Sequence, residues 1–222
     1  MNLELVVRTV TVYLIPVLFA ISLHEAAHGY VARYFGDPTA ANEGRLSLNP
    51  LRHIDPFGTV LLPLLLYFTI QIPFGYAKPV PVDYSRLRNP RKQMAWVAAA
   101  GPAANFVMGL GWMLLLVLLG GKVGRDNFFV LMALAGLSVN AAMCVFNLIP
   151  LPPLDGGRIV TGLLPLRLAR PYASIERYGM FVFVGLILVM NYGLLDGVLS
   201  AAVNFVVRLF GLILLPLSLL LN

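Results

Sequence analysis

The sequence predicts an all-α polytopic membrane protein with five to six transmembrane helices. Three observations carry that prediction. Of 222 residues, 59% are hydrophobic and 12% are charged, about half the charged share of a soluble domain. The apolar residues gather in runs of about 20 or more, each long enough to cross a bilayer as a helix. Within the first run lies His24-Glu25-Ala26-Ala27-His28, and ionisable groups at membrane depth are costly enough to mark function.

The spans follow in order. The first covers about residues 5–33, and the stretch 10–23 carries no charged residue. The others cover about 93–120, 128–149, 178–195 and 198–221. A further apolar run, 57–77, is interrupted by Pro63 and Pro73 and flanked by Gly58 and Gly75. It either spans or re-enters. Arg33, Arg45, Arg52, Lys78, Arg86, Arg88, Arg91 and Lys92 surround it, and Arg158, Arg167, Arg170 and Arg177 separate the third and fourth spans. Basic loops collect in the cytoplasm. A re-entrant 57–77 segment puts every strongly basic loop there, and irregular backbone at that depth is tolerated where protein or water shields it. The segment 75–81, with Pro79 and Pro81, reads as extended chain. It is either a surface turn or an edge that pairs with a substrate strand.

Composition also excludes function classes. The net charge of +6 is a topology signal here. Nucleic-acid binding would need a soluble basic surface, which the chain lacks. Cys144 is the one cysteine, so no disulfide within the chain and no cysteine-based metal site is possible. The N-terminal run carries Glu4 and Arg8 and does not read as a cleaved signal. The whole of 1–222 reads as one membrane-embedded domain, with a core over about 5–165 and C-terminal helices over about 178–221. The sequence carries no signal for an oligomeric state.

The chemistry starts from helical spacing. His24 and His28 stand at i and i+4, on one face, and can aim at one metal ion. Glu25 beside them can activate a water. Catalytic zinc sites have three protein ligands and an open position. Asp155 is the candidate third ligand, in Asn147-Leu148-Ile149-Pro150-Leu151-Pro152-Pro153-Leu154-Asp155-Gly156-Gly157-Arg158. The prolines end the preceding helix, and the glycines permit a close turn. His24 and His28 lie in the last third of their span and Asp155 just beyond the end of its own. Those ends meet only if the two spans run parallel, which the re-entrant arrangement provides. Nitrogen and carboxylate ligands at this spacing suit zinc best.

At these positions the chain resembles the site-2 protease family of intramembrane zinc metalloproteases. The matching motifs are His24-Glu25-x-x-His28 and Asn147-x-x-Pro150-x-x-x-Leu154-Asp155-Gly156, with Ala100-Gly101-Pro102-Ala103-Ala104-Asn105 similar to the intervening helix. The resemblance covers about residues 10–165 and is closest to short members without a PDZ domain. It implies one zinc ion per chain on His24, His28 and Asp155, with Glu25 as catalytic base. It also implies a transmembrane protein as substrate, cleaved within the lipid bilayer of a prokaryotic plasma membrane.

Asn147 is expected to orient the substrate strand or to stabilise the oxyanion. Asn140, seven residues earlier on nearly the same face, has the same candidate role, with interhelical bonding as the plainer reading. His53 reads as an interfacial histidine, and Gly101-Pro102 as close packing plus a kink. The competing function is a membrane metal-ion transporter. Against it, the polar residues concentrate at one place and do not trace a path.

Overall fold

A computed structural model describes residues 3–47, 49, 52, 55–61, 65, 78–120 and 122–221. Among the described residues the helices are α1 (Leu3–Tyr34), α2 (Thr39–Asn42), α3 (Pro90–Leu119) and α4 (Phe128–Asn147), then α5 (Asp155–Leu163), α6 (Leu166–Ala173), α7 (Gly179–Asn191) and α8 (Asp196–Leu221). A π-helical turn (Pro56–Leu61) and two 3-10 turns (Tyr84–Arg86, Ser174–Tyr178) complete the regular structure, and no strand occurs among these residues.

Five helical stretches are long and apolar enough to cross a membrane: Val7–Tyr34, Pro90–Leu119, Phe128–Asn147, Leu166–Met190 and Asp196–Leu221. They match the five expected spans. The fourth begins at Leu166 instead of 178, because α6, the second 3-10 turn and α7 follow one another without a break. Large apolar side chains remain outside the bundle, with Phe181 78% and Leu220 82% exposed. Such a surface is stable only against lipid or another protein.

Contacts between helices fix their directions. His28 meets Val97 while His24 meets Asn105, so α1 and α3 run antiparallel. Asn105 meets Asn140 while Trp112 lies against Gly136, so α3 and α4 are antiparallel too. Hence α1 and α4 are parallel, as the ligand argument requires. The Arg88 N–H donates to the Phe35 carbonyl at 3.1 Å, so the chain leaves α1 and enters α3 at the same end of the bundle. The stretch between them makes no net crossing. A six-span arrangement would make α1 and α3 parallel. The path of 57–77 itself lies outside the described residues, apart from 57–61 and 65.

Packing uses small residues where helices approach closely. An added Cβ at Gly136 would lie 2.3 Å from the Trp112 ring, and one at Gly109 would lie 2.6 Å from Phe210. Phe210 brings α8 into the core with Leu137 and Ala141, stacking edge-on against Phe106 at 4.8 Å between centroids. In a bilayer, where apolar burial does not drive association, such close fits hold helices together.

Candidate metal centre and active site

The site begins with two imidazoles whose protonation is dictated from behind. The Asn140 amide donates to the Gly136 carbonyl at 2.8 Å. The Asn105 amide donates to the Ala20 carbonyl and to Asn140 Oδ1, each at 3.1 Å. Carbonyls only accept, so this relay leaves Asn105 Oδ1 as an acceptor. His24 Nδ1 donates to it at 2.6 Å. His28 Nδ1 likewise donates to the Val97 carbonyl at 2.7 Å. A neutral imidazole carries one proton, so both Nε2 atoms present lone pairs. They face each other at 3.1 Å.

Asp155 completes the group. It opens α5, and Asp155 Oδ2 lies 3.2 Å from His24 Nε2 and 3.4 Å from His28 Nε2. The local fold that brings it there depends on Gly156 and Gly157. A Cβ on Gly156 would sit 2.3 Å from the Ile149 carbonyl oxygen, and one on Gly157 would sit 2.4 Å from Pro152 N. Only glycine lets the 148–153 loop pass so close over the helix start. Tyr172 ties the loop down by donating to the Pro150 carbonyl at 2.8 Å.

Three buried lone pairs therefore converge with no proton between them, and Asp155 Oδ2 has no hydrogen-bond partner. A buried polar atom left so is costly, and a cation removes the cost. The spacing fits zinc. Ligands about 2.0–2.1 Å from a tetrahedral ion stand about 3.3 Å apart, against 3.1, 3.2 and 3.4 Å here. Among the described residues, His24, His28 and Asp155 form a group able to hold a metal ion. Gly101 makes room for it. A Cβ there would lie 2.4 Å from His28 Nε2 and 2.6 Å from His24 Nε2. The small residue expected to serve helix packing thus abuts the ligands themselves.

Glu25 lines the same cavity, of about 300 Å³, with Pro79, Val80, Val82, Tyr84, Asn147 and Arg158. Its carboxylate accepts from the Val80 N–H at 2.9 Å. The segment that carries Val80 is pinned at both flanks. Asp37, 1% exposed, accepts from the Asp83 N–H at 2.7 Å and from the Thr39 N–H at 3.0 Å. The Arg45 guanidinium donates to the carbonyls of Lys78 and Pro79 at 3.1 and 3.4 Å. Gly29 admits Val80, whose Cγ1 would be 2.8 Å from an added Cβ. Residues 78–83 have no regular secondary structure. Two of their backbone donors are committed. Pro79 and Pro81 have none, Val80 serves Glu25, and Asp83 serves Asp37. Over these residues the segment positions Glu25. The rest of the expected pairing edge, 75–77, lies outside the described residues, as does His53.

The two candidate asparagines part company. Asn147 lines the cavity, with its amide donating to the Met143 carbonyl at 3.0 Å. Asn140 is fully buried behind His24 and reaches the site through Asn105. Sequence reasoning left Asn105, Val80, Tyr84 and Arg158 without roles. Asn105 had a signal, being the only side-chain amide or charge in an apolar helix over 94–119. Arg158 had a weaker one, standing three residues from Asp155 on the same helical face.

Comparison with known proteins agrees with this geometry. The profile of Peptidase family M50 matches residues 12–136 and 121–190. A Bacillus subtilis (strain 168) protein named "Putative zinc metalloprotease YwhC" is 36% identical over 213 residues, covering 91% of this chain and 92% of its own. "Putative zinc metalloprotease Rip2" of Mycolicibacterium smegmatis is 32% identical over 174 residues, 77% of this chain and 64% of its own. The Rip2 protein of Mycobacterium tuberculosis (strain H37Rv) is 28% identical with the same coverage. No solved structure shows a match. A zinc-fitting triad beside a glutamate, in a chain with five membrane-length helices, and a profile match along most of the sequence lead to one conclusion: the chain belongs to peptidase family M50, the zinc metalloproteases of site-2 type.

Proposed function

We propose that this protein is an intramembrane endopeptidase of a prokaryotic plasma membrane, built as one domain, that hydrolyses peptide bonds in or near transmembrane segments of other membrane proteins. The observation that carries the reading is the set of three converging ligand atoms next to Glu25, with both histidines and Glu25 on a helix of membrane length. His24 Nε2, His28 Nε2 and the Asp155 carboxylate would hold zinc. When bound, zinc supplies a Lewis acid that polarises the peptide carbonyl and acidifies water.

The chain's own groups do the rest. Asn105 and Val97 keep both imidazoles in the tautomer that exposes Nε2. Val80 orients the Glu25 carboxylate. Glu25 accepts a proton as water adds to the carbonyl carbon, and returns it to the amine nitrogen as the C–N bond breaks. Asn147 orients the substrate strand in the cavity. The substrate helix must unwind locally, since its amides are otherwise bonded to one another.

Transport of a metal ion is the less favoured reading. Among the described residues, four of the six buried polar side chains, His24, Asn105, Asn140 and Asp155, join into one connected centre. They do not form a succession of sites across the bundle. Co-expression with candidate single-span proteins, comparing wild type with Glu25→Gln by mass-spectrometric mapping of new termini, tests the proposal. Cleavage dependent on Glu25 supports it. Zinc flux into liposomes without cleavage refutes it.

A further inference from the structure

The cavity contains one cation whose presence the metal site does not explain. Arg158 stands three residues after Asp155, so both side chains leave the same face of α5. Its Nη2 donates to Glu176 Oε1 at 2.6 Å, and its Nη1 lies 3.5 Å from the Tyr84 hydroxyl oxygen. The guanidinium carbon is 5.9 Å from the centroid of the Tyr84 ring. Glu176 belongs to the 3-10 turn before α7, and Tyr84 to the one before α3. The guanidinium is thus suspended between two walls. Tyr84 and Arg158 line the cavity with the metal ligands and Glu25, whereas Glu176 does not.

A bland reading makes Arg158–Glu176 a surface ion pair that closes α5 onto the following turn. Its side chains are 35% and 44% exposed. Pairs of that exposure contribute little to stability, a few tenths of a kcal/mol up to about 1, so stability alone is a weak reason for the arrangement. Elimination among the cavity's donors points elsewhere. Both histidine Nδ1–H groups are turned away to Asn105 and Val97. The Val80 N–H is held by Glu25. The Asn147 amide gives one of its two N–H groups to the Met143 carbonyl. Among the lining side chains one Asn147 N–H, the Tyr84 hydroxyl and the guanidinium remain, and of these the guanidinium alone carries a permanent positive charge. A guanidinium presents five N–H donors in a planar fork, so it can keep Glu176 on one edge and offer another to a ligand. Burial pushes the Tyr84 hydroxyl up, which keeps it protonated and able to donate.

We infer that Arg158 is a further catalytic residue, which with the Tyr84 hydroxyl binds the carbonyl oxygen of the scissile peptide and takes up the negative charge that develops there as water adds to the carbonyl carbon. The inference rests on the protease reading above and adds an electrophile to it. Donors aimed at such an oxygen act in the transition state more than in the ground state. Glu176 serves as the positioning residue that holds the fork in place. Arginine, not lysine, is required, because a point charge cannot serve two partners on two edges.

The experiment uses the full zinc-loaded chain in detergent. It measures zinc stoichiometry and the affinity of two probes. One is a phosphonamidate dipeptide, which imitates the tetrahedral anion, and the other is acetohydroxamate, which needs only the metal. The kinetics of a substrate identified by co-expression complete the set. Arg158→Ala and Arg158→Lys should each lower kcat by about 10²-fold, the loss typical for one such donor. KM should move little, and phosphonamidate binding should weaken in parallel. Zinc content and acetohydroxamate affinity should stay at wild-type values. Tyr84→Phe should lose about 10-fold in kcat, a smaller share of the same effect. Glu176→Gln should lose far less than Arg158→Ala.

Zinc-replete Arg158→Ala with wild-type kcat and phosphonamidate affinity overturns the inference. So does an equal loss in Glu176→Gln and Arg158→Ala, which would make the ion pair the whole effect. If Arg158→Ala fails to fold, wild-type kcat and phosphonamidate affinity in both Arg158→Lys and Tyr84→Phe overturn it. A wild-type chain that binds zinc but cleaves nothing refutes the protease reading instead, and phosphonamidate binding still judges Arg158.

Discussion

Replacing Gly101 by alanine strikes the metal ligands themselves, although the residue bears no functional group. The added Cβ would stand 2.4 Å from His28 Nε2, 2.5 Å from His24 Cε1 and 2.6 Å from His24 Nε2. Comfortable non-bonded contacts begin at about 3.5 Å, so the shortfall is about 1 Å against two rings at once. The rings can yield only by breaking their Nδ1 bonds to Asn105 and Val97, or α1 and α3 must separate. A misplacement of about 1 Å at reacting groups costs on the order of 10²-fold. We expect zinc affinity, and cleavage with it, to fall at least that far.

The assay is zinc per chain by atomic emission after equilibration with graded chelator, with helix content and thermal unfolding followed in parallel. Two glycines on the same helix provide controls. Gly109→Ala puts its Cβ 2.6 Å from Phe210 Cε2 and Cζ, away from the ligands. It should destabilise by about 1–3 kcal/mol, as overpacking does, yet keep its zinc. Gly111→Ala meets nothing within 4 Å and should behave as wild type. Wild-type chelator resistance in Gly101→Ala, or equal zinc loss in Gly109→Ala, would refute the steric argument.

Other perturbations separate the roles of the remaining residues. Asp155→Ala should purify without stoichiometric zinc, measured by the same emission assay, because two imidazoles alone do not close the site. Glu25→Gln should keep full zinc and lose cleavage; measurable turnover would remove Glu25 as the proton carrier. Asn105→Leu should weaken zinc binding by about 10–100-fold, as loss of a partner behind a metal ligand does, and chelator titration reads it directly. Asp37→Ala removes the acceptor that pins Asp83 and Thr39. At about 1–3 kcal/mol for each buried donor left unpaired, it should lower thermal stability and reduce kcat while zinc stays bound, since Val80 then holds Glu25 less firmly.

Much of this protein is legible in one dimension because the membrane simplifies the code. Lipid forces every backbone polar group into local bonds, so a long apolar run must be a helix. The five spans emerge from length and composition alone. The helical repeat places His24 and His28 on one face before any tertiary contact is known. The proline-broken stretch before Asp155 marks the end of a helix, and the parallel relation of α1 and α4 follows from loop charge and ligand depth together. The roles around the metal site were far less visible. Val80 serves Glu25 through a backbone N–H, a group every residue but proline carries, so its side chain gives no clue. Asn140 could be read as glue or as part of the site, and its bond to Asn105 makes it a partner of the metal ligand without touching the cavity.

Sequence by itself determined the membrane helices, the ligand types and their spacing along the helix, since these depend on local periodicity and on what lipid excludes. Only the tertiary structure decided which nitrogen each histidine presents, which glycine clears space for the ion, and which backbone N–H steadies Glu25. Those outcomes depend on contacts between segments dozens of residues apart, formed at distances of about 3 Å, where a single carbonyl or a missing Cβ settles the matter.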